Sequence, residues 1–359
     1  MTVVPVVLSR RGDARPSTVQ ERAEPAPGMP STGPLVDTFG RVHDDLRISV
    51  TDRCNLRCTY CMPEQGMTFL PNASLLSFDE IVRVASVARS LGVDAVRLTG
   101  GAPLVRRGLD RLVGRLRDLG FADLSLTTNG MLLAPVVDAL VAAGLTRVNV
   151  SCDSLRPERF AAIRRRGELA TVLASMDAAE AAGLPPVKVN IVLEHGTNDD
   201  EILDFAAFGR TTGRIVRFIE FMPLDAQGAW RRDRLVAGAE VVRQIAARWP
   251  LAAVERVDDH APADRFRFVD GAGEIGVISS VTEPFCGTCN RLRLTADGAV
   301  RNCLFSDDEL DVRQSLRTGA PDEAIALQLR RAVWGKRPGH GIDEPGFLRP
   351  TRSMSMIGG

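Results

Sequence analysis

Six short β-branched runs alternate with helix-period segments between Leu46 and Met222, and this alternation restricts the fold more than any other feature of the chain. The runs begin at Leu46, Ala95, Leu124, Arg147, Val187 and Ile215. Helical periodicity fills the gaps: Ser77 to Gly92, Leu109 to Gly120, Leu133 to Gly144, Glu158 to Arg166 with Glu168 to Gly183, and Asp199 to Arg210. Ser77 and Glu80 are spaced as a capping box. Strand, helix, strand in repetition predicts a parallel sheet with helices outside it. The turns after the runs are chemically loaded: TDRCNLRCTYC from Thr51, TGGAP from Thr99, TTNG from Thr127, CDS from Cys152 and EFMP from Glu220. Polar groups from many strands on one rim suit a barrel, whereas an open sheet concentrates its site at one switch point. The fold class expected is α/β, an incomplete (βα)6 TIM-like barrel.

After Met222 the pattern changes to antiparallel signals. RFRFVD and GEIGVISSV are joined at Gly271 to Gly273, and RLRLT turns at Asp297-Gly298 into AVRNCLF. A helix is expected from Pro321 to Trp334, and the chain ends Gly358-Gly359. Four segments follow: 1–34, a disordered leader rich in Arg, Pro, Gly, Ser and Thr; 35–222, the partial barrel; 223–335, a C-terminal antiparallel extension; and 336–359, a tail. The two terminal glycines add no core and lose much entropy when ordered, so a role inside the protein and a frayed end both stay open.

Forty-five basic and 45 acidic residues give a net charge of zero, which excludes a protein that holds nucleic acid by bulk phosphate attraction. No apolar run reaches the roughly 18 residues of a membrane span, and the opening residues lack the order of a secretory signal. A cytoplasmic, non-membrane protein is expected. Seven cysteines in such a chain read as ligands, nucleophiles or packing, not as a disulfide framework.

Cys54, Cys58 and Cys61 form C-x3-C-x2-C after the first strand run. Three thiolates on a four-iron cube leave one iron open to a small molecule. A zinc knuckle is the alternative, but the four histidines (His43, His195, His260, His340) all lie far off in sequence. Cys286, Cys289 and Cys303 form a second set of three, which leaves Cys152 as a packing residue. Arg291 and Arg293 fall on one face of a strand by the period-two rule. They are either a solvated basic face or, beside a second open iron, planar donor forks for an anion.

The first cysteine motif, with Tyr60 before its last cysteine, resembles that of the radical S-adenosylmethionine enzymes. That resemblance implies a barrel of the radical SAM type. It also implies an open iron that chelates the amino and carboxylate groups of S-adenosylmethionine, whose reductive cleavage yields methionine and a 5'-deoxyadenosyl radical. From residue 35 to Gly359 the likeness narrows to the GTP 3',8-cyclase family, lyases of molybdenum cofactor biosynthesis. It is carried by DTFGR, LRISVTDRCNLRCTYCMPE, RLTGG, LTTNG, RVNVS, KVN, RFIEFMPLD, FCGTCNRLRLTADG and the terminal IGG.

The family resemblance implies two 4Fe-4S clusters, on Cys54, Cys58 and Cys61 and on Cys286, Cys289 and Cys303. It implies hydrogen abstraction from C3' of GTP and attack on C8, giving (8S)-3',8-cyclo-7,8-dihydroguanosine 5'-triphosphate. S-adenosylmethionine would contact Tyr60, Gly101, Ser151 and Met222. GTP would contact Arg47, Arg97, Thr127, Lys188, Arg217, Arg291 and Arg293, of which Arg47, Arg291 and Arg293 would also be catalytic. Arg47, Arg97, Lys188 and Arg217 lie in the barrel strand runs, and inside a barrel they call for a polyanion; Arg97 or Arg217 could equally face outward toward helix carboxylates. Implied partners are a flavodoxin or ferredoxin reductant and a cyclic pyranopterin monophosphate synthase that takes the product, with the chain a homodimer or a monomer. The chain departs from the family at Ala102, where GGEP reads GGAP, removing the carboxylate that would accept from the cofactor's ammonium group. A radical enzyme for another substrate and a catalytically weakened nucleotide-binding paralogue are the alternatives.

Overall fold

A computed structural model describes residues 25–256 and 258–358. Of the expected leader, residues 1–24 lie outside the described residues, as does Gly359. Strands β1 (Asp45–Ser49), β2 (Ala95–Thr99), β3 (Asp123–Thr128), β4 (Arg147–Ser151), β5 (Lys188–Leu193) and β6 (Ile215–Glu220) pair in sequence order and in parallel. Their register alternates two chemistries. Leu46, Ile48, Val96, Leu98, Leu126, Val148, Val150, Val189, Ile191, Val216 and Phe218 all belong to the hydrophobic core under the helices. The residues between them on the strands are Arg47, Ser49, Arg97, Thr127, Asn149, Ser151, Lys188, Asn190 and Arg217. A sheet buried on both faces usually reads as a continuous apolar run. Here one buried face is polar, as a barrel that encloses a ligand requires.

The connecting helices run α1 (Phe78–Ser90), α2 (Leu109–Asp118), α3 (Val137–Ala143), α4 (Pro157–Arg164), α5 (Leu169–Ala181) and α6 (Ile202–Thr212). Ser77 and Glu80 close the expected capping box at the start of α1. The sequence periodicity overstates α3, because Gly130 to Val136 is spent in turns before the helix begins.

The C-terminal part is not a separate layer. The chain continues through α7 (Gly238–Arg248), β7 (Leu251–Val254), β8 (Asp264–Phe268), β9 (Glu274–Ile278), β10 (Arg291–Leu294), β11 (Ala299–Arg301) and β12 (Leu310–Asp311). The two expected hairpins form, as β8 with β9 and β10 with β11. Their inner strands, however, extend the barrel in parallel: β9 pairs with β6 and β10 with β1. The sheet order is therefore β12-β11-β10-β1-β2-β3-β4-β5-β6-β9-β8-β7, with eight parallel strands at its centre. The link from β9 to β10 joins the two opposite edges of the barrel, and it carries Cys286 and Cys289. It is anchored by Glu220, whose carboxylate accepts from Val281 N at 2.7 Å, Thr282 N at 2.9 Å and Gly238 N at 2.9 Å. Helices α8 (Val312–Arg317), α9 (Asp322–Trp334) and α10 (Met354–Ile357) complete the chain. No helix among the described residues is long and apolar enough to cross a membrane.

Candidate active site

One cavity at the C-terminal ends of the barrel strands is lined by sixteen of the seventeen site residues expected from sequence. These are all six paired-motif cysteines together with Arg47, Tyr60, Arg97, Gly101, Thr127, Ser151, Arg217, Met222, Arg291 and Arg293. Lys188 is the exception. It opens β5, at the strand end opposite the rim, and its ammonium group sits near Arg217, Arg147 and Arg97 instead of on the cavity wall. Burial first, then those cations, pushes it down to about 8. Arg97 and Arg217 both face inward, so the outward reading of either residue falls.

The seven cysteines are all free thiols. Among the described residues no three His, Cys, Asp or Glu side chains converge closely enough to hold a single ion. Closed zinc needs such convergence, whereas a cube spreads its three cysteines over three different irons. The sulfurs are also prepared as acceptors. Cys54 Sγ accepts from Leu56 N at 3.4 Å, Cys58 Sγ from Arg164 Nη1 at 3.3 Å, Cys289 Sγ from Lys336 Nζ at 3.3 Å and Cys303 Sγ from Phe305 N at 3.5 Å. Burial, then the neighbouring Cys58 and Cys54, pushes the Cys61 thiol up. Burial also raises Cys289, but Lys336 and Arg291 outweigh it and bring that thiol down to about 7. The donor sets fit two iron-sulfur cubes.

Around the cysteines the wall is strongly cationic. Among the described residues six arginines line the cavity (Arg47, Arg97, Arg164, Arg217, Arg291 and Arg293) against one carboxylate, Asp153. Asp153 is already committed: Oδ2 accepts from Tyr60 Oη at 2.8 Å and lies 2.7 Å from Arg164 Nη2, and Oδ1 accepts from Val192 N at 3.0 Å. Below the wall, Asp45 stands 3.7 Å from Arg47 Nε and 3.9 Å from Arg291 Nε, too far for good hydrogen bonds. Both Nε atoms are buried without a hydrogen-bond partner. Burial, followed chiefly by Arg47 and Arg291, holds Arg293 down at about 9. Burial likewise lowers Arg97 and Arg217 to about 10. Guanidinium groups penalised in this way are compensated by a ligand that brings several negative charges.

Gly100 and Gly101 serve the cysteine loop more than the ligand. A Cβ on Gly100 would lie 2.5 Å from Thr51 O, and one on Gly101 2.5 Å from Arg53 O. The backbone of this turn instead bonds that loop, from Gly101 N to Thr51 O and from Ala102 N to Arg53 O, both at 2.8 Å. Ala102 is buried beside the cavity without lining it. The tail enters the same space. Met354 and Ser355 line the cavity, and Gly358 is buried, its carbonyl held by Arg293 Nη1 at 2.8 Å. Sequence reasoning passed over Asp153, Arg164, Asn129 and Asn190. The CDS and TTNG turns and the alternation of β5 were the available signals.

Residues 48–209 match the family model described as Radical SAM superfamily, and 214–342 the one described as Molybdenum Cofactor Synthesis C. The fold is shared with solved structures. A structure titled native anSMEcpe with bound AdoMet superposes with a TM-score of 0.54 at 16% identity, over 82% of each chain. The fold and the cysteine rim thus define a radical SAM enzyme. The chain is 49% identical to the GTP 3',8-cyclase of Mycobacterium sp. strain KMS, covering 96% of this chain and 99% of that one. It is 51% identical to the GTP 3',8-cyclase of Streptomyces coelicolor, covering 90% and 96%. It belongs to the GTP 3',8-cyclase family.

Proposed function

We propose that this chain cyclises GTP to 3',8-cyclo-7,8-dihydro-GTP, the first step of molybdenum cofactor biosynthesis, using two 4Fe-4S clusters and S-adenosylmethionine. The observation that carries the reading is the single cavity in which both cysteine triplets face six arginines and one neutralised aspartate. Bound there, the first cluster and S-adenosylmethionine supply a carbon radical able to take hydrogen from an unactivated ribose position. The protein's own residues do the rest. Cys54, Cys58 and Cys61 would hold that first cluster, with Tyr60, Gly101, Ser151 and Met222 around the cofactor. Cys286, Cys289 and Cys303 would hold the second. Arg47, Arg97, Arg217, Arg291 and Arg293 meet the triphosphate and purine, and Thr127 borders them. Lys188 acts from behind the wall, through the charge it adds to Arg97 and Arg217. Burial of the tail at Gly358 screens the site from water on that side.

A flavodoxin or ferredoxin supplies the electrons and a cyclic pyranopterin monophosphate synthase takes the product, with the chain a cytoplasmic monomer or homodimer. Iron analysis tests the cluster assignment. Reconstituted protein is expected to hold eight irons, and replacing Cys54, Cys58 and Cys61 together by alanine should halve the iron and abolish 5'-deoxyadenosine. Unchanged iron in that triple variant contradicts the assignment.

A further inference from the structure

We propose that Lys336 makes the second cluster the easier of the two to reduce, by holding a buried ammonium group without a carboxylate partner against one of its ligand sulfurs. The inference rests on the reading that both cysteine triplets carry four-iron clusters. Lys336 follows α9 and is buried. Its Nζ donates to Cys289 Sγ at 3.3 Å, to Cys289 O at 3.2 Å and to Arg291 O at 3.2 Å. An ammonium group has three protons, so all of them are directed into the strand and loop that carry the cysteine. The ionisable groups around it include Cys286, Cys289, Cys303, Arg41 and His43, and Arg41 and His43 both contact Asp37, Arg41 at 2.6 Å. Among the described residues Lys336 forms no ion pair with a carboxylate, so the ligand sulfurs are its counter-charge.

The first triplet has the same kind of donor in a different electrostatic setting. Arg164 Nη1 donates to Cys58 Sγ at 3.3 Å, but its Nη2 lies 2.7 Å from Asp153 Oδ2. The cation is neutralised where it touches the ligand. At the second triplet it is not, and Arg291 Nη1 adds a second positive group 3.9 Å from Cys289 Sγ. Reduction adds one negative charge to a cluster, and hydrogen bonds to its sulfurs together with local charge set how favourable that is. The reduced form is therefore stabilised more at Cys286, Cys289 and Cys303 than at Cys54, Cys58 and Cys61.

A redox titration of the reconstituted full-length chain, followed by electron paramagnetic resonance, tests this. A variant with Cys286, Cys289 and Cys303 all replaced by alanine supplies the spectrum of the first cluster alone. The wild type is expected to show the second cluster reduced at the more positive potential. Lys336→Met, similar in length but without charge or donor, should lower the reduction equilibrium of that cluster at least tenfold, about 59 mV for one electron, and leave the first cluster unmoved. Lys336→Arg should restore most of the loss. Eight irons with an unmoved second potential in Lys336→Met would overturn the proposal alone. Four irons in the wild type would overturn the two-cluster reading and the proposal with it. Should Lys336→Met lose the second cluster, Asp153→Asn provides the reciprocal readout: freeing the charge of Arg164 should raise the first potential, and an unmoved value overturns the proposal.

Discussion

Arg293 donates from Nη1 to the carbonyl oxygen of Gly358 at 2.8 Å, tying the penultimate residue of the chain to the barrel wall. Gly358 adopts a φ of +83°, and a Cβ there would lie 2.3 Å from Thr99 Oγ1 and 3.0 Å from Ser49 Cβ. Only glycine fits, because both the backbone conformation and the space exclude a side chain. Gly358→Ala should expel the tail: nucleotide conversion falls at least tenfold, iron content is unchanged, and the C-terminus becomes sensitive to carboxypeptidase. Full activity with an unaltered digestion rate would contradict this seating.

Arg291 and Arg293 lie on β10 in register with Asp45 and Arg47 of β1, which puts both guanidinium groups on the cavity side. Arg291→Ala and Arg293→Ala should each keep eight irons yet reduce GTP conversion by about tenfold to a hundredfold, since a hydrogen bond to a charged group is worth roughly 1.5 to 3 kcal/mol. Steady-state product formation, with iron assayed in parallel, checks it. Undiminished conversion in both variants would return the pair to a structural role.

Ala102 is buried beside the cavity and brings it no carboxylate, and Asp153, the sole acidic residue on the wall among those described, is bound to Tyr60 and Arg164. Ala102→Glu should tighten S-adenosylmethionine binding by about tenfold to over a hundredfold, the same range of roughly 1.5 to 3 kcal/mol, without changing the product. Anaerobic titration of both proteins with S-adenosylmethionine decides it, and equal affinities would refute this role for the position.

His43 is buried against Asp37, its Nε2 3.0 Å from the carboxylate. Burial, then Lys336, lowers it from 6.5 to about 4 despite that contact. A histidine with a depressed folded pKa binds fewer protons in the native state than in the unfolded one. Its contribution is therefore present above 6.5 and is lost as pH falls toward 4, by at most roughly 3 kcal/mol. Urea unfolding should show a smaller loss between pH 7 and pH 5 in His43→Gln than in the wild type. Identical losses would show that the pKa of His43 is the same in the folded and unfolded chain, contrary to this account.

The barrel was legible because its helices bury one stripe and its strands alternate core with wall, so Leu46, Arg47 and Ile48 already announce two different faces. Spacing singled out the six cysteines as two sets of three, and the fold brings all six to one cavity. The joining of β9 and β10 to opposite edges of the barrel was not. Hairpin turns at Gly271 to Gly273 and Asp297-Gly298 report antiparallel neighbours, and nothing local in RLRL reports the parallel pairing with β1. Lys188 falls outside the cavity lining for a related reason: strand membership fixes which face a residue takes, but height along the barrel depends on register. Asp153 and Arg164 lie close in sequence, before and at the end of α4, but what joins them to each other and to Tyr60 and Cys58 is tertiary geometry, and neither carries a motif of its own.

Anaerobic incubation of the reconstituted chain with dithionite, S-adenosylmethionine and GTP, with the nucleotides resolved by mass spectrometry, tests the proposed reaction most directly. A cyclised dihydro-GTP is expected together with GTP-dependent 5'-deoxyadenosine. Unaltered GTP beside 5'-deoxyadenosine that forms equally well without it would contradict the assignment of GTP as substrate.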